Sequence, residues 1–159
     1  TDSAHLAAQM GLPYAFAAHF APAQFRSAID IYRKNFKPSE QLKQPYVMAC
    51  VNVIAADTDE EASFQMSSLL KMFFGLITNN RKPLQPPGEL PEGFQMPEVQ
   101  AALSTMLSCT FTGSKETLRK NLSMFIDETE INELMVATYI YDNEAKLKSF
   151  TILHDALSI

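Results

Sequence analysis

Two polar side chains, Ser3 and His19, are the best candidates for chemistry in this chain of 159 residues. Ser3 lies at the predicted start of a helix, where free backbone N–H groups and the helix dipole favour a bound phosphate. Serine is also a preferred N-cap residue, and that structural role is the more common one. His19 follows an apolar run and could act as an acid or base near pH 7. A histidine that packs at a strand end with a backbone partner is an equally good interpretation.

The other residues of reactive type show none of the spacings that characterise a metal or nucleotide site. The three histidines and two cysteines lack zinc-ligand spacing, and the sequence contains no Gly-rich phosphate loop and no nucleophile elbow. The acidic run 57–61 is instead a predicted helix start, in which Thr58 and Glu61 form a capping box. We therefore predict no metal site and assign no catalytic residue.

The composition predicts one folded domain with a substantial core, since 47% of the residues are hydrophobic and 19% are charged. A net charge of −5 argues against sequence-independent binding to nucleic acid or to an anionic membrane. No apolar run is long enough to span a bilayer, and no signal peptide is visible. Two cysteines without a disulfide framework suit a reducing compartment, so we expect a cytoplasmic protein.

Three apolar strands alternate with about six helices, which predicts a parallel α/β sheet with right-handed crossovers. The predicted strands are residues 14–20, 46–56 and 133–141, and residues 109–112 could form a short extended piece. The second strand is apolar on both faces except for Asn52, which indicates a central position. The Pro-rich segment 79–97 interrupts the pattern, and loops of this length are often functional or mobile.

Helical periodicity also predicts which side chains face the core. Gly11 is a predicted helix stop, and Ser114 and Asp142 are predicted caps. The apolar residues expected to face inward include Leu6, Ala7, Met10, Phe25, Ile29, Tyr32, Phe36, Phe64, Leu69, Leu70, Phe73, Phe74, Leu118, Leu122, Phe125, Ile126, Ala145, Leu147, Phe150, Leu153 and Leu157.

Four segments, taken in order, resemble the bacterial luciferase-like family of flavin-dependent monooxygenases. They read AAQMGLPYAFAAHFAP shortly after Ser3, PYVMACVNVIAADTDEEA, CTFTGSKETLRKNL and ELMVATYIYDNEAKLKSF. The resemblance implies a parallel (β/α)8 TIM barrel, a fold that typically needs about 250 residues. It further implies that residues 1–159 form a single partial domain, the C-terminal half of such a barrel.

The resemblance implies an oxidoreductase that uses reduced FMN, supplied by a separate reductase, and O2 to oxidise a small organic substrate. It assigns the FMN phosphate to Ser3 and the flavin ring to the strand end that carries Ala17, Ala18 and His19. Whether FMN or a deazaflavin is used stays open. The residues expected near the barrel mouth are Thr1, Asp2, Ser3, Ala18, His19, Asp57 and Tyr141.

In this family the arginine that binds the phosphate and the main catalytic histidine belong to the other half of the barrel, so this chain alone is expected to be inactive. A half-barrel also leaves strand edges and an apolar inner face without partners. The sequence therefore predicts a homodimer, or pairing with the missing N-terminal half. The alternative is an inactive half-barrel that serves as a structural or assembly subunit.

Overall fold

A computed structural model describes residues 2–158, and its six helices and four strands confirm the predicted α/β class. The strand that covers residues 110–113 was predicted only as a short extended piece, and the strands predicted at 14–20 and 133–141 are shorter than expected. Among the residues described, no helix is both long and apolar enough to cross a membrane. The elements in chain order are α1 (Asp2–Met10), β1 (Tyr14–Phe16), α2 (Pro22–Asn35), β2 (Val47–Ala55), α3 (Asp59–Ile77), α4 (Pro97–Met106), β3 (Thr110–Gly113), α5 (Lys115–Thr129), β4 (Glu133–Ala137) and α6 (Asn143–Leu157).

All strands are parallel, and β2 is the central strand. On one edge, β2 pairs with β1 along its first half and with β3 along its second half. Hydrogen bonds show that β1 and β3 share this edge, because Cys50 O accepts from the His19 N–H and Asn52 N–H donates to Cys109 O. β4 occupies the opposite edge, in register with residues 48–52. Within the described residues, the outer edges of β1 and β4 pair with no further strand.

Helices α1, α2, α5 and α6 pack on one face of this sheet. One apolar cluster joins Val47, Val51 and Val53 to α1, α2, α5 and α6. A second cluster joins α3 and α4 to the 79–97 segment and to Tyr139. Because side chains alternate along a strand, Asn52 lies on the face opposite Val51 and Val53.

Five apolar side chains predicted to face inward are exposed, namely Leu6, Met10, Phe64, Leu147 and Phe150. On α1 the buried positions are the alanines at 4 and 8, whose small size allows close packing against the core. On α6 the buried positions are Ser149, Leu153 and Ala156. A short helix with several apolar residues has more than one possible apolar stripe. Packing against the rest of the protein decides which stripe is buried.

Local capping signals were predicted more accurately. Thr58 Oγ1 accepts from Glu61 N–H at 3.1 Å, and Asp142 Oδ1 accepts from Ala145 N–H at 2.8 Å. Ser114 occupies the N-cap position of α5, but its side chain makes no capping hydrogen bond. Its backbone N–H instead donates to Asp59 Oδ1 at 2.6 Å.

Asp59 fastens the start of α3 to the start of α5. Its second carboxylate oxygen accepts from Thr117 Oγ1 at 2.9 Å. The Ser114 N–H, and then the Thr117 hydroxyl, lower the pKa of the Asp59 carboxyl from its ordinary value of 3.8. The carboxylate therefore stabilises the folded chain above that pH, and the contribution is lost as the pH falls through the lower folded-state pKa.

We expect Asp59→Asn to lower the melting temperature at pH 7 and to weaken the dependence of stability on acid pH. Thermal melts between pH 3 and pH 7 measure both effects. Glu60→Gln is the matched control, because it removes the same charge from the exposed neighbouring position of α3. Equal acid dependence in Asp59→Asn and the unmodified chain would contradict the fastening role.

Candidate functional site

The candidate site begins where β1 ends, and β1 ends earlier than predicted. Only residues 14–16 pair with β2, so the predicted strand 14–20 is wrong beyond Phe16. The following residues form a tight turn, in which the N–H groups of Phe20 and Ala21 both donate to Ala17 O at 3.0 Å. Pro22 then starts α2, where its missing N–H costs nothing. Ala17, Ala18 and His19 therefore lie in a turn at a strand end, not in the strand.

His19 is held against the central strand by two contacts with one carbonyl oxygen. Its backbone N–H donates to Cys50 O at 2.8 Å, and its Nδ1 lies 3.3 Å from the same oxygen. Because a carbonyl only accepts, the second contact requires a proton on Nδ1, and in the neutral ring Nε2 is then an acceptor. The half-buried ring thus has a backbone hydrogen-bond partner, as the structural interpretation of His19 predicted. Its second nitrogen, Nε2, remains available.

The two alanines of the turn have different surroundings. Ala17 is exposed, whereas Ala18 is fully buried in the main apolar cluster. A ligand that lies against this turn can contact Ala17 and His19 directly. Ala18 supports the turn through packing beneath it.

Ser3 lies inside the first turn of α1 and is exposed. Its Oγ is 3.3 Å from the phenolic oxygen of Tyr14, whose ring stacks on Tyr32. First-turn N–H groups of a helix have no partner within the helix, so this end suits an anion. Asp2 places a carboxylate on the same turn, and a phosphate bound here therefore needs a positive partner from another part of the protein. Thr1, predicted near the mouth, lies outside the described residues.

The remaining residues predicted near the mouth, Asp57 and Tyr141, form no hydrogen bond or ion pair with Ser3 or His19 among the described residues. Asp57 forms an ion pair with Lys148 and thereby links the β2–α3 turn to α6. Tyr141 is about half exposed, beyond the end of β4. Within the described residues no hydrogen bond joins Ser3 to His19.

Neither cysteine has the character of a nucleophile. Burial raises the pKa of the Cys50 thiol, and it also raises the pKa of the Cys109 thiol. Both thiols are therefore protonated near neutral pH. No group of three or more potential metal-ligating side chains occurs in residues 2–158.

Asn52 is a buried polar residue that the sequence marked as unusual but that we did not predict as part of a site. Its side chain is fully buried, and its Nδ2 donates to Thr110 Oγ1 at 3.2 Å. Its Oδ1 has no hydrogen-bond partner among the described residues. An unsatisfied buried carbonyl costs about 1–3 kcal/mol. The signal in the sequence was a single amide within an otherwise apolar strand.

Comparisons with known proteins extend over nearly the whole chain, although no family model matches it. A luciferase-like monooxygenase of Escherichia coli (strain K12) is 41% identical over 153 residues, which are 96% of this chain and 46% of that protein. The uncharacterized protein YddN of Bacillus subtilis (strain 168) is 43% identical over 154 residues, which are 96% of this chain and 45% of that protein.

Solved structures show the same fold. The crystal structure of apo-MsnO8 matches with a TM-score of 0.83 and 28% identity, over 98% of this chain and 47% of that chain. The monooxygenase RslO1 from Streptomyces bottropensis matches with a TM-score of 0.57 and 14% identity, over 98% of this chain and 44% of that chain, and this likeness concerns the fold alone. This chain spans about half the length of the relatives that it matches. Over that half, the chain is similar in sequence and in fold to luciferase-like monooxygenases.

Proposed function

We propose that this chain is the C-terminal, flavin-binding half of a luciferase-like monooxygenase. The observation that carries the proposal is the 41% identity to a luciferase-like monooxygenase, which extends over 96% of the chain. The exposed serine at a helix start and the histidine turn at a strand end supply a polar phosphate site and a surface for a flat ring.

The residues of the candidate site can hold part of an FMN molecule. The Ser3 hydroxyl and the first-turn N–H groups of α1 would hold the phosphate, and Ala17 and His19 would line the ring. Reduced FMN, delivered by a separate reductase, supplies the activation of O2 and the transfer of one oxygen atom to a small organic substrate. The role of this chain would be to orient the cofactor and to exclude water, and His19 Nε2 would accept a hydrogen bond from a donor on the bound ligand. Because Asp2 places a negative charge on the same turn, the proposal requires that the positively charged partner of the phosphate comes from outside this chain.

The unpaired edges of β1 and β4 support a half-barrel that is completed by other strands. Next to β4, the exposed side chains of Leu147 and Phe150 provide apolar surface on α6 for such a partner. The N-terminal half of a luciferase-like protein is the proposed partner, and a second copy of this chain is the other candidate. In this proposal the assembled protein works in the cytoplasm.

The test is a titration of the chain with FMN and reduced FMN under anaerobic conditions, followed by absorbance and flavin fluorescence. We expect saturable binding that Ser3→Ala weakens about tenfold or more, since hydrogen bonds to charged groups contribute roughly 1.5–3 kcal/mol. Riboflavin, which lacks the phosphate, should bind Ser3→Ala and the unmodified chain equally. Ser63→Ala is the matched control, because Ser63 is an exposed serine on α3.

The absence of flavin binding by a chain with native circular dichroism would contradict the proposal and favour the inactive half-barrel. Light scattering during the same experiment gives the oligomeric mass. A dimer would support self-association, and a monomer would leave the N-terminal half as the proposed partner.

A further inference from the structure

We infer that Tyr14 is a positioning residue of the proposed phosphate site, because its hydroxyl donates to Ser3 Oγ and leaves the Ser3 proton for the phosphate. This inference rests on the proposed function and adds a second side chain to its site. It starts from a contact between the first helix and the first strand. Ser3 Oγ on α1 lies 3.3 Å from the phenolic oxygen of Tyr14 on β1.

The chemistry of a phosphate fixes the direction of this hydrogen bond. Both hydroxyls can donate or accept, so the contact by itself allows either direction. The charged oxygens of a phosphate accept hydrogen bonds, and the Ser3 hydroxyl has a single proton to donate. When Ser3 gives that proton to the phosphate, its contact with Tyr14 requires Tyr14 as the donor. The two hydroxyls then form a chain that ends at the phosphate, in which each hydrogen bond strengthens the next.

The surroundings of the two hydroxyls suit this direction. Tyr14 is 5% exposed, and within the described part of the chain its hydroxyl has no hydrogen-bond partner besides Ser3 Oγ. A buried donor without an acceptor costs free energy, which favours donation from Tyr14 to Ser3. Ser3 is exposed in the first turn of α1, so a ligand can reach its oxygen and its proton.

The ring of Tyr14 is held in place by a second tyrosine. It stacks on Tyr32, with 5.3 Å between the ring centroids and 27° between the ring planes. Tyr32 is fully buried, and its hydroxyl donates to Leu12 O at 2.8 Å and accepts from the backbone N–H of Tyr46 at 3.1 Å. The Tyr14 hydroxyl therefore has a fixed position beneath Ser3, which reduces the entropy that binding a phosphate would cost.

A purely structural role for the Tyr14 hydroxyl predicts a different effect on ligands. In that role the hydrogen bond ties β1 to α1, and its loss would lower stability without distinguishing one flavin from another. In the positioning role the hydroxyl acts through Ser3, which concerns the phosphate. Its loss should then weaken FMN and leave riboflavin, which has no phosphate, unaffected.

The test is the variant Tyr14→Phe, which removes the hydroxyl and keeps the ring, in anaerobic fluorescence titrations with FMN and with riboflavin. We expect FMN affinity to fall about three- to tenfold, the usual effect of one hydrogen bond, while riboflavin affinity stays the same. In a Ser3→Ala background, Tyr14→Phe should change FMN affinity by less than about twofold, because residues that act through one contact are not additive.

Tyr46→Phe is the matched control, because it removes a tyrosine hydroxyl that bonds a side chain elsewhere, Glu133 on β4. It should leave the affinity for both flavins unchanged. Unchanged FMN affinity in Tyr14→Phe, an equal loss for riboflavin, or an equal loss with and without the Ser3 hydroxyl would overturn the inference. The proposed function would still stand, provided that Ser3→Ala weakens FMN. If the unmodified chain binds no flavin, both proposals are wrong.

Discussion

Phe25→Ala is expected to lower the free energy of unfolding by about 3–5 kcal/mol, the usual cost of removing a large buried aromatic side chain. Phe25 is 1% exposed on α2. Its ring centroid lies 5.7 Å from that of Phe16 on β1 and 5.7 Å from that of Phe125 on α5. The substitution therefore opens a cavity where a strand and two helices meet. Because domains of this size are stable by only about 5–15 kcal/mol, urea denaturation should show a large loss.

Phe64→Ala is the matched control for this prediction. Phe64 has the same side chain on another helix, but it is 53% exposed. We expect its removal to change the free energy of unfolding by no more than about 0.5 kcal/mol. Similar losses in the two variants would mean that the core is not organised around the Phe25 cluster.

Both phenylalanines were predicted as core residues from periodicity, and only one of them is buried. Periodicity identifies a possible apolar stripe, but the packing partner of a helix decides which stripe is used. On α3, burial at Leu69 and Phe73 rotates Phe64 toward solvent. The sequence predicted caps such as Thr58 and Asp142 correctly, because a cap depends on only four consecutive residues.

The candidate site was also predictable in part, because some of its features depend only on residues that are neighbours in the sequence. The sequence indicated that a small-residue segment with His19 follows a buried strand, and this order along the chain is correct. It could not show where β1 stops, because that depends on pairing with β2, some thirty residues away. The contact of Asn52 with Thr110 depends on the register of β2 and β3, and register is set by long-range pairing. The sequence therefore marked Asn52 as unusual without assigning it a role.

Gly11→Ala is expected to cost about 2–5 kcal/mol, because it combines backbone strain with a steric clash. Gly11 has φ of 62°, in the left-handed region. A Cβ atom there would lie 2.5 Å from Lys37 O and 2.6 Å from Ser39 Cβ. Ser39 Oγ also donates to Gly11 O at 2.9 Å, and this hydrogen bond holds the turn at Gly11 against the 37–39 segment. Relief of the clash requires the 37–39 backbone to move, and urea denaturation measures the resulting loss.

Gly93→Ala distinguishes the cost of backbone strain from the cost of the steric clash. Gly93 has φ of 82°, but the nearest atom to the added methyl group would be the flexible Met96 Sδ at 3.4 Å. Its cost should be the strain alone, about 1–2 kcal/mol. Equal losses would show that close approach at Gly11 contributes nothing. A larger loss for Gly11→Ala would show that the turn fixes α1 against the 37–39 segment. Under the proposed function, FMN affinity should then fall along with stability, because α1 carries Ser3.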